Sequence, residues 1–385
     1  MATETELTER LLEHCAHVCV TGDEGPIADA VVDRYTDLGE PVTRVGNSVV
    51  VGARTAHADR PLVLLVGHLD VVPPTDADRD PRVESRADGR VVVGRGASDM
   101  KAGNVIAMAA FEDRDLRARS PYDIALLLYA AEEGPAEDNE LADVLAEVTW
   151  LREADLAIVL EPTDGEVQLG CLGGLHARVT FLGRQAHSAR PWHGTNALTA
   201  AGRWLAALHD REPERVEVDG IVYHDVWSAT QAWTDNLGPP FGERVARNVI
   251  PGAFVVNLNL RFAPSRDLAA AEEELRTLVG DIAEVEIIDR SPPAPPGLQV
   301  PTVRAFVDAV GASVAGKQAW TDVARFAETG VPGCNYGPGL TAQAHQRGEY
   351  VPLAAVVDAH ARLCAFLAGS SAPQPPGSRS AGPHG

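Results

Sequence analysis

The sequence predicts an α/β fold in which a mainly parallel-sheet domain is interrupted by an inserted α+β domain. Short apolar runs alternate with helical patterns from residue 61 to about 170. The texture then changes to alternating strands, and the first pattern returns after a proline-rich connector at 291–297. Strands that are apolar on both faces and separated by helices are typical of parallel sheets covered on two sides. A chain of 385 residues with 45% hydrophobic content is long enough for two such domains.

The first part of the α/β domain is predicted at 1–173. Its apolar runs predict strands at 61–66, 124–129 and 156–160 and a helix at 100–116, with an acidic helical stretch before the third strand. Near the N-terminus, Cys15 and Cys19 flank His17 at a spacing that a metal clip would also use. Leu11, Cys15 and Cys19 share one face at helical spacing, so a helix is the favoured interpretation.

The inserted domain is predicted at 174–290. Residues 176–182 and 254–262 alternate like half-exposed strands. A helix is expected at 196–209, capped by Thr195 or Asn196, and another at 267–279, capped by Ser265 or Asp267.

The second part of the α/β domain is predicted at 291–369. Helical patterns at 303–314 and 353–367 enclose a strand at 331–336. Residues 370–385 contain mostly Ser, Pro, Gly and Ala, a composition that predicts a disordered tail.

Charge and cysteine usage exclude several classes of function. Acidic residues number 55 and basic residues 33, which gives a net charge of −22. Such a charge repels phosphate backbones and anionic lipid, so neither nucleic acid nor a membrane is an expected partner. The five cysteines are sparse and odd in number, which indicates reduced thiols. No signal-peptide pattern and no apolar run of about 20 residues occurs, so a cytoplasmic protein is expected.

Ligand-type side chains follow the predicted strands. Ligands in open α/β sheets bind beyond the carboxyl ends of the strands, where these side chains would meet. Singly, each is an ordinary solvated loop residue, but together they would repel one another unless cations neutralise them. Oxygen and imidazole donors suit Zn²⁺, Co²⁺ or Mn²⁺. The side chains are His68, Asp70, Asp99, Glu132, Glu133, Glu161 and His345.

Rival motifs are missing from the sequence. The Gly94-Arg-Gly96 segment reaches Asp99 where a dinucleotide fingerprint needs its third glycine. No nucleophile elbow, P-loop or HExxH helix is found.

With these residues in view, the chain resembles the dinuclear zinc amidohydrolases, which include aminoacylases, carboxypeptidase G and succinyl-diaminopimelate desuccinylases. It is most similar to the desuccinylases. The resemblance extends to about residue 368, and its landmarks are Gly67-His-Leu-Asp70-Val-Val-Pro73, Gly94-Arg-Gly-Ala-Ser-Asp99-Met-Lys101, Glu132-Glu133, Leu160-Glu-Pro162, Ala186-His-Ser-Ala-Arg-Pro191, Arg247-Asn-Val-Ile-Pro-Gly252 and Trp320-Thr-Asp-Val-Ala-Arg-Phe326.

The resemblance implies a site for two zinc ions, with Co²⁺ or Mn²⁺ as alternatives. His68 and Glu161 would bind one ion. Glu133 and His345 would bind the other, and Asp99 would bridge both. The implied inserted domain is a ferredoxin-like lid that also forms a homodimer.

The resemblance also implies catalytic roles. Glu132 would be the general base, and Asp70 would support the imidazole of His68. A histidine of the neighbouring subunit would hold the oxyanion; His187 is favoured for this role, with His193 as the alternative.

For the substrate, the resemblance implies an anionic N-acyl amino acid. In the desuccinylases this is N-succinyl-LL-2,6-diaminopimelate, which is hydrolysed to succinate and LL-diaminopimelate for lysine and peptidoglycan synthesis. Arginine suits such a ligand because its planar fork pairs with a carboxylate. The implied carboxylate contacts are Asn248, Arg261, Thr321 and Arg325, with Arg190 and Arg247 as weaker candidates.

Two segments depart from the desuccinylase pattern. Residues 228–247 are unusually rich in aromatic residues and proline. After Gly337-Pro-Gly339 the chain reads Leu340-Thr-Ala-Gln-Ala-His345, where desuccinylases commonly carry Asp-Pro. A related deacylase or carboxypeptidase with another N-acyl amino acid, dipeptide or biosynthetic intermediate as substrate therefore stays open. So does a catalytically inactive homologue that binds or dimerises, although every expected ligand and the base are present.

Overall fold

The computed structural model describes residues 1–54, 60–135, 137–235 and 248–370, and the chain divides into two compact units. The first unit contains Met1–Leu169, Gly297–Ala315 and the residues from 325 onward. The second contains Gly170–Pro296 and Gly316–Ala324. The limits of 174–290 for an insertion stay a prediction. Of the predicted tail, residues 371–385 lie outside the described part.

The described residues of both units form α-helices and β-strands. The helices are α1 (Glu4–Ala16), α2 (Gly25–Asp37), α3 (Ala102–Glu112), α4 (Arg114–Arg119), α5 (Leu141–Glu147), α6 (Ala197–Ala200), α7 (Gly202–His209), α8 (Leu268–Val279), α9 (Pro301–Val310), α10 (Val323–Glu328) and α11 (Leu353–Leu367). The strands are β1 (Val42–Val45), β2 (Ser48–Val51), β3 (Leu62–His68), β4 (Arg82–Arg86), β5 (Gly89–Val93), β6 (Asp123–Tyr129), β7 (Leu156–Val159), β8 (Val167–Leu169), β9 (Gly173–Leu182), β10 (Ala186–His187), β11 (Glu214–Val218), β12 (Ile221–Thr234), β13 (Val249–Ile250), β14 (Ala253–Phe262), β15 (Glu284–Ser291), β16 (Val314–Gly316), β17 (Gly333–Asn335) and β18 (Tyr350–Pro352).

The main sheet has the order β1-β2-β6-β3-β7-β17-β8-β16. Its central strands β6, β3, β7 and β17 pair in parallel, whereas β1, β2 and β8 pair antiparallel. Every residue of β3 is buried, as a strand covered on both faces requires. The predicted α/β class is confirmed, and the carboxyl ends of the parallel strands share one edge of the sheet.

A small antiparallel sheet, β18-β5-β4, lies in the same unit. Tyr350 of β18 pairs with Val93 of β5. This pairing brings the residues just before β18 beside the loop that follows β5, and the amide of Gly94 donates to the carbonyl of Glu349 at 3.0 Å.

The second unit is built on an antiparallel sheet with the order β11-β12-β14-β9-β15. One face packs in a core that includes Phe181, Trp204, Leu258 and Leu275, while alternate residues of β9 are more exposed. This is the alternation that the sequence predicts for the inserted domain. Residues 316–324 join this unit through Gln318, whose side chain donates to the carbonyl of Val222 at 3.0 Å.

Two predicted helices are wrong in their continuity. The helix expected at 100–116 is broken at Asp113, whose carboxylate accepts from the amide of Leu116 at 2.9 Å and so caps a new helix. The helix expected at 196–209 breaks between α6 and α7, where Gly202 is a weak helix former.

Other helix ends also differ from the predictions. The helix expected at 303–314 ends at Val310, because Gly311 adopts a left-handed conformation with φ +61°. Helix α1 ends at Ala16, so Cys15 is helical and Cys19 is not. In the described part of the chain, no helix combines the length and apolar character that a membrane span requires.

Candidate metal centre

His68 ends the central strand β3 and is fully buried at its side chain. Its Nδ1 lies 3.0 Å from the carbonyl oxygen of Asp70, so Nδ1 carries the proton. On the other side of the ring, Nε2 faces Asp99, whose Oδ1 is 3.3 Å away. Asn104 donates to the carbonyl of His68 at 2.6 Å, and Gly67 leaves room for Asn104, because a Cβ there would lie 1.9 Å from its Oδ1.

The sequence predicts that Asp70 supports the imidazole of His68. In the structure the carboxylate of Asp70 also accepts hydrogen bonds from two backbone amides. Its Oδ1 accepts from the amide of Glu132 at 3.0 Å, and its Oδ2 accepts from the amide of Glu133 at 2.9 Å. Thr21 donates to the same Oδ2 at 2.8 Å. A single buried carboxylate therefore fixes the backbone of the acidic pair.

Asp99 lies on the loop between β5 and α3. The loop turns at Gly96, which has φ +81°. A Cβ at Gly96 would lie 2.6 Å from a methyl of Val71, so this close approach also favours glycine. The backbone amides of Gly96 and Asp99 donate to the buried carboxylate of Glu349. Sequence reasoning missed Glu349, because a lone glutamate four residues beyond His345 carries no local signal.

The structure brings the predicted ligands together in two donor clusters that share Asp99. Donor atoms of His68, Asp99 and Glu161 lie within 4.8 Å of one another, as do those of Asp99, Glu133 and His345. His345 Nε2 lies 2.8 Å from Glu133 Oε2 and 3.6 Å from Asp99 Oδ2. A third cluster of His68, Glu132 and Glu133 places the predicted base beside both.

The electrostatics of these clusters fit a bound cation. The pKa of Glu133 is raised to about 8, chiefly because the carboxyl is buried; the charge of His68 lowers it, and the nearby carboxylates of Asp99 and Asp70 contribute to the rise. Burial lowers the pKa of His68, but the hydrogen bond to Asp99 and the charge of Glu132 outweigh burial and hold it well above its usual range. Protons thus occupy the position that a divalent cation would take.

His187 and Asn248 lie together in the second unit. Strand β10 pairs with β13, and the amide of Ser188 donates to the carbonyl of Asn248 at 2.7 Å. The amide of Ala189 donates to His187 Nδ1 at 3.1 Å, so the neutral ring carries its proton on Nε2. The alternative, His193, is exposed in a short turn and its ring packs near Trp192.

The remaining predicted substrate residues are distributed over both units. Arg261 of β14 pairs with Gly174 of β9, where a Cβ would approach the guanidinium to 2.9 Å. Burial lowers the pKa of Arg261, and Asp289 opposes this shift. Thr321 in the second unit is buried, and its hydroxyl has no hydrogen-bond partner among the described residues. Arg325 is partly buried on α10 in the first unit.

Part of the divergent segment cannot be compared with its prediction. Residues 236–247, which include the weaker candidate Arg247, lie outside the described residues. Arg190 is exposed beside the turn that contains His193.

An α/β sheet with carboxylates and imidazoles gathered at its strand ends defines the class of metal-dependent hydrolases. The chain belongs to the peptidase family M20/M25/M40, which matches residues 64–369. The predicted family resemblance is thereby confirmed.

Relatives in this family share most of their length with this chain. A succinyl-diaminopimelate desuccinylase of Corynebacterium glutamicum is 34% identical over 370 residues, which cover 94% of this chain and 95% of the relative. A Mycobacterium tuberculosis protein (strain H37Rv), whose name proposes the same activity, is 36% identical over 349 residues, or 90% of this chain and 93% of its own length.

Solved structures show the same fold. A tripeptidase of Staphylococcus aureus has a TM-score of 0.73 at 16% identity and covers 96% of this chain and 98% of its own. A dinuclear metal-binding M20 peptidase of Bacillus subtilis has a TM-score of 0.66 at 16% identity, covering 95% and 97%.

Proposed function

We propose that this chain hydrolyses an N-acyl amide bond with two divalent cations, and that its substrate is N-succinyl-LL-2,6-diaminopimelate. The products would be succinate and LL-diaminopimelate. The observation that carries the proposal is the pair of donor clusters that share Asp99. The names of relatives that align over at least nine-tenths of the chain support the substrate.

The donors suggest which residues hold the cations. His68 and Glu161 would hold one, Glu133 and His345 the other, and Asp99 both. Imidazole and carboxylate without thiolate suit a catalytic Zn²⁺ site, and Co²⁺ or Mn²⁺ accept the same donors. When bound, such cations lower the pKa of water and polarise the scissile carbonyl.

Glu132 is the proposed general base. It accepts one proton from the attacking water as the oxygen–carbon bond forms. The carbon–nitrogen bond then breaks, and Glu132 returns the proton to the leaving amine. Its backbone is fixed by Asp70, while the adjacent Glu133 turns its own carboxylate toward His345.

The residues that the family resemblance implies as substrate contacts are proposed to bind the substrate. His187 carries a proton on Nε2 that would stabilise the oxyanion. We propose that a dimer forms through the second unit, so that this histidine would come from the partner subunit. Arg261, with Asn248, Thr321 and Arg325, would receive the substrate carboxylates.

The decisive variant is Glu132→Gln, with Glu137→Gln as the same change at an exposed position nearby. We expect Glu132→Gln to bind metal like the wild type but to lose about 10²–10⁴-fold in kcat, because only the proton acceptor is removed. Glu137→Gln should retain both. Full activity of Glu132→Gln would contradict the proposed role.

A substrate panel tests the specific reaction. Metal-loaded enzyme is assayed with N-succinyl-LL-2,6-diaminopimelate, N-acetyl amino acids and dipeptides, and the amine released is measured. Preference for the succinyl substrate supports the proposal. Turnover of another amide alone would retain the mechanism and reject the substrate, and bound metal without any turnover would favour an inactive homologue.

A further inference from the structure

Glu349 is a buried carboxylate that receives four hydrogen bonds. It is 1% exposed, and it lies just before β18. Its Oε1 accepts from the amides of Ser98 at 2.8 Å and Asp99 at 2.9 Å. Its Oε2 accepts from the amide of Gly96 at 2.9 Å and from Arg95 at 3.0 Å. Three of these donors are consecutive or near-consecutive amides of the loop that carries Asp99.

A second buried carboxylate, Asp78, holds the partners of Glu349. Arg95 donates to Asp78 at 3.3 Å as well as to Glu349, and it is 3% exposed. The amide of Gly348, next to Glu349, donates to Asp78 at 2.7 Å. Thr75 donates to Asp78 through both its amide and its hydroxyl at 2.7 Å. Arg95 therefore bridges the buried carboxylates of Asp78 and Glu349.

The same segment also bears His345. The hydroxyl of Ser98 donates to the carbonyl of Tyr350 at 2.8 Å and accepts from the amide of Leu340 at 3.0 Å. These bonds tie the Asp99 loop to both flanks of His345, although about 250 residues of chain separate them. Asp99 and His345, two of the proposed metal ligands, therefore lie on segments that are joined by the same hydrogen bonds.

We propose that Glu349 is a positioning residue for the metal centre, which fixes the Asp99 carboxylate between the two donor clusters. This inference rests on the proposed metal-dependent function. Asp99 can serve both clusters only if its backbone is held, and a carboxylate that accepts two adjacent amides restricts the turn more than one bond would. Among the described residues, Glu349 belongs to none of the donor clusters and acts through the backbone of Asp99.

Two substitutions separate placement from charge. In Glu349→Gln one acceptor oxygen is replaced by an NH₂ group, so amide donors would face another donor. In Glu349→Asp the negative charge stays, but the side chain is one methylene too short to reach the same amides. If position matters, both variants bind metal more weakly, whereas a purely electrostatic role predicts loss only in Glu349→Gln.

The matched control is Glu112→Gln, in the same unit at the far end of α3. Glu112 likewise accepts several hydrogen bonds, from Arg10, Arg34 and Tyr35. Glu112→Gln shows how much thermal stability is lost when a carboxylate with several hydrogen-bond partners is changed away from the metal centre. We expect its metal affinity to equal that of the wild type.

The experiment titrates Co²⁺ into metal-free full-length protein by calorimetry and visible absorption, with thermal unfolding measured in parallel. We expect both Glu349 variants to bind Co²⁺ about 10–100-fold more weakly, with an altered absorption band. In assays kcat should fall while KM stays near the wild-type value. Should Glu349→Gln not fold, Glu349→Asp and Asp78→Asn carry the same measurement, with a smaller loss expected for Asp78→Asn.

Wild-type affinity and an unchanged Co²⁺ band in the Glu349 variants, with only the stability loss seen in Glu112→Gln, would overturn the inference. Wild-type Co²⁺ affinity in Glu349→Asp, together with weaker binding in Glu349→Gln, would also overturn the inference. The negative charge at position 349 would then account for metal binding without the placement of the carboxylate. A wild-type protein that binds no Co²⁺ would instead reject the proposed function.

Discussion

The two regions that supply the proposed site residues are built in different ways. In the first unit His68, Asp70 and Glu349 are each 1% exposed and are held by several hydrogen bonds. In the second unit His187 and Asn248 are exposed and lie on or beside strands of only two residues. The proposed site residues of the first region are therefore held by more internal contacts than those of the second.

This difference assigns separate tasks to the regions. Metal ligands and a general base work best when their positions are fixed in advance. Residues on exposed turns suit substrate capture, because small rearrangements there cost little. The structure therefore supports the proposed hydrolytic chemistry more strongly than it supports the choice of acyl group.

After Glu132→Gln, the largest effect on kcat is expected from His187→Gln. Loss of an oxyanion donor should lower kcat about 10²–10³-fold. His193→Gln, the same change six residues away, should alter kcat little. A greater loss in His193→Gln would reverse the assignment.

A subunit-mixing experiment sharpens that test. If His187 acts across a dimer, mixing inactive His187→Gln and Glu132→Gln proteins should restore about a quarter of wild-type activity, since half of the dimers would be mixed and each would contain one complete site. Sedimentation would verify the dimer. No recovery from mixed dimers would exclude action across subunits.

A smaller effect is expected from Asp70→Asn. The substitution replaces one carboxylate oxygen, which accepts a hydrogen bond from the amide of Glu132 or Glu133, with an NH₂ group. This change weakens the hydrogen bonds that hold the acidic pair and removes the negative charge beside His68. We expect metal affinity and kcat to fall about 10–100-fold. Asp29→Asn is the control, because Asp29 pairs with Arg44 at the surface. Equal behaviour of the two variants would show that Asp70 is dispensable.

The smallest effect is expected from Arg261→Lys. A lysine retains the charge but not the planar fork, so KM for N-succinyl-LL-2,6-diaminopimelate should rise about 10-fold with less change in kcat. An analogue with a neutral acyl group tests which carboxylate Arg261 binds. Arg178→Lys on the neighbouring strand is the control, since Arg178 pairs with Glu286 at 2.8 Å. An unchanged KM would remove Arg261 from the substrate site.

Much of the first region could be predicted from sequence because its signals are local. Strand β3 is buried along its whole length and ends at His68, just before Asp70. The acidic pair Glu132-Glu133 comes shortly after the end of β6, which is also largely apolar. Parallel strand ends meet at one edge, so these side chains were expected together. The break at Asp113 was missed because a capping aspartate inside an apolar helical pattern resembles an ordinary polar position.

Non-local contacts could not be predicted in the same way. Glu349 gains its role only when β18 pairs with β5 and delivers it to the loop of Asp99. Asp70 was expected to support His68, but its bonds to two amides more than 60 residues away depend on the neighbouring strand. Such partners are chosen by the tertiary fold and leave no periodic signal.

Metal binding by wild type and Asp99→Ala tests the central claim most directly. Metal-free protein is titrated with Zn²⁺ by calorimetry, and bound metal is counted by elemental analysis. If Asp99 serves both clusters, the wild type binds two cations per chain and Asp99→Ala loses tight binding at both positions. An Asp99→Ala protein that retains one cation with wild-type affinity, or a wild type that binds fewer than two, would contradict a shared centre.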